Sequence, residues 1–200
     1  MRDLGRLTYA LDAASRDLPV LPLLHRDKKP HGGLAPHGVL DATTDPRVVR
    51  SWFVREPDIN YGIAAGNGIV ILDVDGRDAQ RRVQELGVPS NLTVHTARGR
   101  HYYFTTQVPC RNGNNILGPG SRVNAKGEGG YVVGPGSTHP DGSLIEIEID
   151  PEIAPTPAWL LSLLRQAPAV EPAPRQQGAH AQGPGAVHTA KDRVCSPPCS

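Results

Sequence analysis

The residues best suited to chemistry are two aspartates at the end of an apolar run, Ile69-Val70-Ile71-Leu72-Asp73-Val74-Asp75-Gly76. The run reads as a β-strand, and a period of two puts Asp73 and Asp75 on one face, about 7 Å apart along it. Two carboxylates so close repel one another unless a cation or a proton sits between them. Hard oxygen ligands at this spacing suit Mg2+ or Mn2+, ions that also hold phosphates. Packing gives no reason for an apolar strand to end in two acids beside a glycine, so the pair is read as functional rather than as a solvated strand end.

Two further stretches carry groups that bind anions. Thr93-Val-His-Thr-Ala-Arg98-Gly-Arg100-His101 sets Arg98, Arg100 and His101 around a tight turn and a strand start. Arginine forks grip phosphate in bidentate fashion, and a histidine ring nitrogen donates to it. A single histidine on a strand is ordinarily structural, but the flanking arginines point to a polyphosphate. The stretch from Gly118 to Ser137 is glycine-dense and holds Arg122 and Lys126. Glycines let backbone N–H groups approach an anion, although taken alone the stretch reads as a loop between strands.

These groups need elements to position them. Leu4, Leu7, Leu11 and Ala14 recur at helical spacing, so residues 3–16 read as an amphipathic helix. Residues 18–24, apolar with two prolines, suit a short edge strand. Asp45-Pro46 is an N-cap with proline at the first helical position, and Val48, Val49, Trp52 and Phe53 supply that helix's apolar face. Residues 61–65 and 69–73 read as strands joined through the hairpin-type turn Gly66-Asn67-Gly68. Residues 77–86 read as a helix closed by Gly87, and 92–97 with 101–106 as a second strand pair about Arg98-Gly99-Arg100. Strands at 131–133 and 144–149 and a last helix at 157–164 complete an α+β fold.

Composition narrows the class. Lys and Arg number 21 against 20 Asp and Glu, a net +1 that excludes histone-like binding but leaves room for a local basic groove. No apolar run reaches the length of a membrane span, the N-terminus has no apolar signal segment, and three cysteines cannot form a disulfide framework. A cytoplasmic protein is expected. Residues 166–200 hold no aromatic, Leu or Ile but six prolines and three glycines. They bury too little apolar surface to offset their ordering entropy, so they read as a disordered tail behind a folded domain of residues 1–165. Cys195 and Cys199 lie in that tail; a zinc site there would need His180 and His188, and a solvated tail is the simpler reading.

Five stretches in order carry a family likeness that covers nearly all of residues 5–165: Lys28-Lys29-Pro30; Asp41-Ala-Thr-Thr-Asp45-Pro46 with Trp52; Asn60-Tyr-Gly-Ile-Ala-Ala-Gly66 leading to Asp73-Val-Asp75; Thr96-Ala-Arg-Gly-Arg-His101-Tyr-Tyr-Phe104; and Gly127-Glu-Gly-Gly-Tyr-Val-Val-Gly-Pro-Gly-Ser137. Together they resemble the N-terminal primase-polymerase module of the archaeo-eukaryotic primase superfamily, which occurs in plasmid, phage and integrated-element replication proteins. The resemblance implies an N-terminal α/β subdomain and an RNA-recognition-like antiparallel sheet, with the active site in the cleft between them. It implies that Asp73 and Asp75 hold catalytic metal and that His101 contacts a triphosphate. Arg100 and Lys126 are read as further phosphate contacts. The family's third motif has an Asp where this chain has Asn124. An Asn ligates through its carbonyl oxygen without adding charge, so metal affinity should fall. Glu128, Glu146 and Glu148 are candidate replacements.

The function this implies is a template-dependent nucleotidyltransferase, a DNA primase/polymerase using two divalent metals, Mg2+ or Mn2+, with nucleoside triphosphates and a single-stranded DNA template. No Gly-x-x-x-x-Gly-Lys-Ser/Thr segment is present, so a replicative helicase would be a separate partner. Asn124 motivates an alternative, a catalytically weakened module that keeps nucleotide or single-strand binding. A third reading comes from Asp73-Val-Asp75-Gly76, which resembles the nucleophile motif of haloacid-dehalogenase-type phosphatases. That family has a Thr where Arg77 stands and needs a later Lys and an acidic cluster, for which Glu146, Glu148 and Asp150 are the only source.

Overall fold

The computed structural model describes residues 4–89, 92–143, 145–149 and 152–165, with the backbone alone at 147–149. The expected tail and its Cys195/Cys199 pair lie outside the described residues. In chain order the elements are α1 (Leu4–Ser15), β1 (Val20–Leu23), α2 (Pro46–Arg55), β2 (Asn60–Ala64), β3 (Ile69–Asp75), α3 (Arg77–Glu85), β4 (Thr93–His95), β5 (Gly99–Thr105), β6 (Val123–Lys126), β7 (Tyr131–Val133), β8 (Glu146–Ile149), β9 (Ala154–Pro155) and α4 (Ala158–Leu164). Helices and antiparallel sheets together make the expected α+β fold. No helix among the described residues is long and apolar enough to cross a membrane.

The strands form two sheets. One runs β1-β2-β7; the other runs β6-β3-β5-β4-β8, with β9 parallel to the end of β5. This corrects the hairpin expected across Gly66-Asn67-Gly68. The tight turn is there, with φ of +93°, +49° and +92° at its three residues, but only Gly66 and Ile69 bridge across it. Three successive left-handed residues swing the chain out of one sheet and into the other. β2 then pairs with β1 and β7, and β3 with β5 and β6.

Each helix is tied down by recognisable chemistry. The Asp45 carboxylate accepts from the Arg47 N–H at 2.8 Å, capping α2 as its sequence predicts. α2 buries Val49, Trp52 and Phe53, whereas Val48, expected on the apolar face, is turned outward. α1 packs Ala10, Ala13 and Ala14 into the core between the sheets, with Leu7 and Leu11 beside them. α3 and α4 cover the outer face of the larger sheet with Ala79, Val83, Leu160 and Leu164.

β3 is buried on both faces, which explains its unbroken apolar run. Ile69 and Ile71 join the core between the sheets, while Val70, Leu72 and Val74 pack beneath α3 and α4. At Asp73 the inner face stops being covered and opens into a cleft. The acids occupy that opening.

Candidate active-site cleft

Strand register assembles the site. Asp73 lies opposite His101 on β5 and opposite Asn124 on β6, Asp75 lies opposite Gly99, and Ile71 lies opposite Lys126. Directly opposed residues point to the same face of a sheet, so Asp73, Asp75, His101, Asn124 and Lys126 share the face turned toward the smaller sheet. Gly99 is required there, because a Cβ at that position would overlap the Val74 carbonyl oxygen. The cleft above has a volume of about 500 Å³, within the usual range of small-molecule sites. Tyr131, Val132 and Val133 of β7 form its opposite wall, and Lys28, Arg98 and His139 reach it from loops.

Arg100 is not brought to this cleft. It pairs with Val74 in the register, which puts its side chain on the outer face, where it hydrogen-bonds Gln80 of α3. Alternation along β5 forbids Arg100 and His101 from sharing a face. Arg98, in the turn before the strand, supplies the arginine instead.

Lys28 and His139 depend on contacts that the sequence did not reveal. Asn60, fully buried, donates from Nδ2 to the carbonyls of Asp27 at 3.2 Å and Thr138 at 2.7 Å, and its Oδ1 accepts from the Thr138 N–H at 3.0 Å. One side chain thus clamps the loop that carries Lys28 and the loop that carries His139. The Tyr131 hydroxyl donates to the Lys28 carbonyl at 3.0 Å. His139 is oriented by Asp141, whose Oδ1 lies 2.9 Å from its Nδ1.

The charges are strongly coupled. Burial pushes the Asp73 carboxyl above the ordinary carboxylate range, while Lys126, Lys28, a hydrogen bond from Asn124 and Arg98 pull it back. Burial lowers His101 to about 3, with Lys28 and Lys126 acting in the same direction and Asp75 opposing. His101 is therefore neutral at pH 7. Its Nε2 stands 3.6 Å from Asp73 Oδ1, a neutral ring beside a carboxylate rather than an ion pair. Its Nδ1 is buried and has no hydrogen-bond partner among the described residues.

Asn124 is set differently from a metal ligand. Its Oδ1 accepts from the Asn115 N–H at 3.0 Å, and its amide hydrogen-bonds Asp73. With the oxygen held by the loop, the amide N–H₂ is the part turned to the carboxylate. Asn124, expected among the metal ligands, is thus tied to the Asn115 loop through its oxygen and to Asp73 through its amide. Glu128 does not replace it: its Oε1 accepts from the Asn67 N–H at 3.2 Å, and its Oε2 fills the space over Gly66. Glu146 is exposed on β8 opposite His95, the side chain of Glu148 is not described, and Asp150 lies outside the described residues. No three His, Cys, Asp or Glu side chains gather to hold a metal among the described residues. As hard oxygen donors on one strand face, Asp73 and Asp75 are the residues that would hold a divalent cation, which would supply charge neutralisation at phosphates.

The model of the bifunctional DNA primase/polymerase N-terminal family matches residues 10–159. The chain belongs to that family. Membership assigns it, at family level, to nucleotidyltransferases of the primase/polymerase type, which act on DNA and nucleotides. No curated protein matches the chain.

Proposed function

We propose that this chain is a template-dependent DNA primase/polymerase whose reacting centre is the cleft at the end of β3. One observation carries the reading: the register that aligns Asp73 with His101 and Asn124 across three strands, with Lys126 on the same face and Lys28 and Arg98 reaching the cleft from loops. Three cations against two carboxylates leave the cleft positive, which suits a triphosphate. Asp73 and Asp75 would hold a divalent cation, Mg2+ or Mn2+, which supplies charge neutralisation at the phosphates. Neutral His101 donates a hydrogen bond to a phosphate oxygen, Lys126 and Lys28 attract the polyphosphate, and the Tyr131 to Val133 wall keeps water from the sugar and base. Asn124 holds Asp73 in place through its amide.

The test is incorporation of labelled nucleotide on a primed single-stranded template, with Mg2+ and with Mn2+. Incorporation is expected, and its absence with both ions would overturn the reading. Asn124 favours a second reading, a module that binds nucleotide and single strands without catalysis, because its oxygen is committed to Asn115. Nucleotide binding without incorporation is the outcome that reading expects, and incorporation gained by Asn124→Asp would tie the deficit to the missing third acid.

A further inference from the structure

Beyond the cleft itself, three arginines from separate segments converge at its Asp75 end. The Gly76 N–H donates to the Arg98 carbonyl at 2.8 Å, and the Asp75 N–H donates to the Arg122 carbonyl at 3.0 Å. Arg77 follows directly in the chain. The Arg122 guanidinium lies over Gly76, its Nη1 3.7 Å from where a Cβ there would stand. All three side chains are exposed. Other arginines near the site are engaged: Arg81 with Asp78 at 3.0 Å, and Arg100 with Gln80. Arg77 and Arg122 have no side-chain hydrogen bond or ion pair among the described residues. In a chain of net charge +1, such a concentration is local, and Arg98 makes it continuous with the cleft.

We propose that Arg77, Arg98 and Arg122 form the track along which a single-stranded polynucleotide enters the cleft, their guanidinium groups gripping successive phosphodiesters. The proposal rests on the reading of the cleft as a polymerase site. Guanidinium groups bind phosphates in bidentate fashion, and Arg77 and Arg122, without a side-chain partner among the described residues, break no internal contact by doing so. The α2 helix provides a built-in comparison. Arg47 and Arg50 are likewise exposed, but on a helix that packs against α1 and β1 rather than at the Asp75 end of β3.

The experiment is a fluorescence-anisotropy titration of labelled oligo(dT) with the full chain across a salt series. It compares wild type, Arg77→Ala/Arg122→Ala and Arg47→Ala/Arg50→Ala. For single strands each phosphate contact contributes about 0.7 to the slope of log K against log salt. The rim variant is expected to lose about 1.4 from that slope and at least tenfold in affinity, the α2 variant much less. Arg77→Lys/Arg122→Lys is expected to recover most of the slope. Equal losses from the two alanine pairs, or a wild-type chain that does not bind the oligonucleotide, would overturn the track. Tight binding through the rim without nucleotide incorporation would instead sink the polymerase reading and leave the track standing.

Discussion

At the residue scale the site consists of groups that the fold holds in costly states. The Asp73 carboxyl is raised by burial, so the fold disfavours its ionised form, and stability falls as pH rises through its folded pKa. A neutral isostere removes that cost. Asp73→Asn is expected to melt no lower than wild type at pH 7 by calorimetry while losing incorporation by on the order of 100-fold; a clear drop in melting temperature would contradict the burial argument. His101 has the opposite sign. Its folded pKa of about 3 lies below the ordinary 6.5, so its contribution is fully present above about pH 6.5 and is lost as pH falls toward 3. Thermal melts between pH 7 and pH 4 should show a decline that His101→Gln makes shallower, and an unchanged slope would count against it. Much of this was legible in the sequence. Period-two spacing alone put Asp73 and Asp75 on one face, and the family motif picked out His101. Lys28 could not be placed in advance, because its position depends on Asn60 and Tyr131, residues 32 and 103 positions further along whose contacts exist only in the folded chain.

At the scale of elements, the decisive device is the packing of β5 against β3. Gly99 sits where any side chain would collide with the Val74 carbonyl. Gly99→Ala is expected to cost roughly 1–3 kcal/mol through overpacking, read as a lower denaturant midpoint at unchanged m-value; no shift would mean the strands separate freely there. The helices and β5 were readable from caps and apolar spacing. β6 was not, because only Val123 and Ala125 are apolar between two glycine-rich stretches, and its strand character comes from pairing with β3. The hairpin expected between β2 and β3 failed for a related reason: a turn signal fixes a reversal of the chain, not which sheet receives each strand. Arg100 was misassigned although the information was present, since alternation from His101 already sends it to the other face.

At the scale of the whole molecule, two sheets meet along a shared apolar core and part where β3 turns acidic, so that acids from one sheet face a wall from the other. The loop clamp made by Asn60 links both sides and brings Lys28 over the acids. Lys28→Ala is expected to raise the nucleotide concentration needed for half-maximal incorporation more than it lowers the maximal rate, since it removes a charge that attracts substrate; a pure loss of maximal rate would contradict that role. The central claim is that one face of one sheet does the chemistry. The most direct test is single-nucleotide extension of a primed strand by the Asp73→Ala/Asp75→Ala variant and by Arg100→Ala, side by side with wild type. Extension abolished by the first and largely kept by the second is expected, because Arg100 lies on the outer face. Extension that survives loss of both aspartates would place the reacting centre elsewhere.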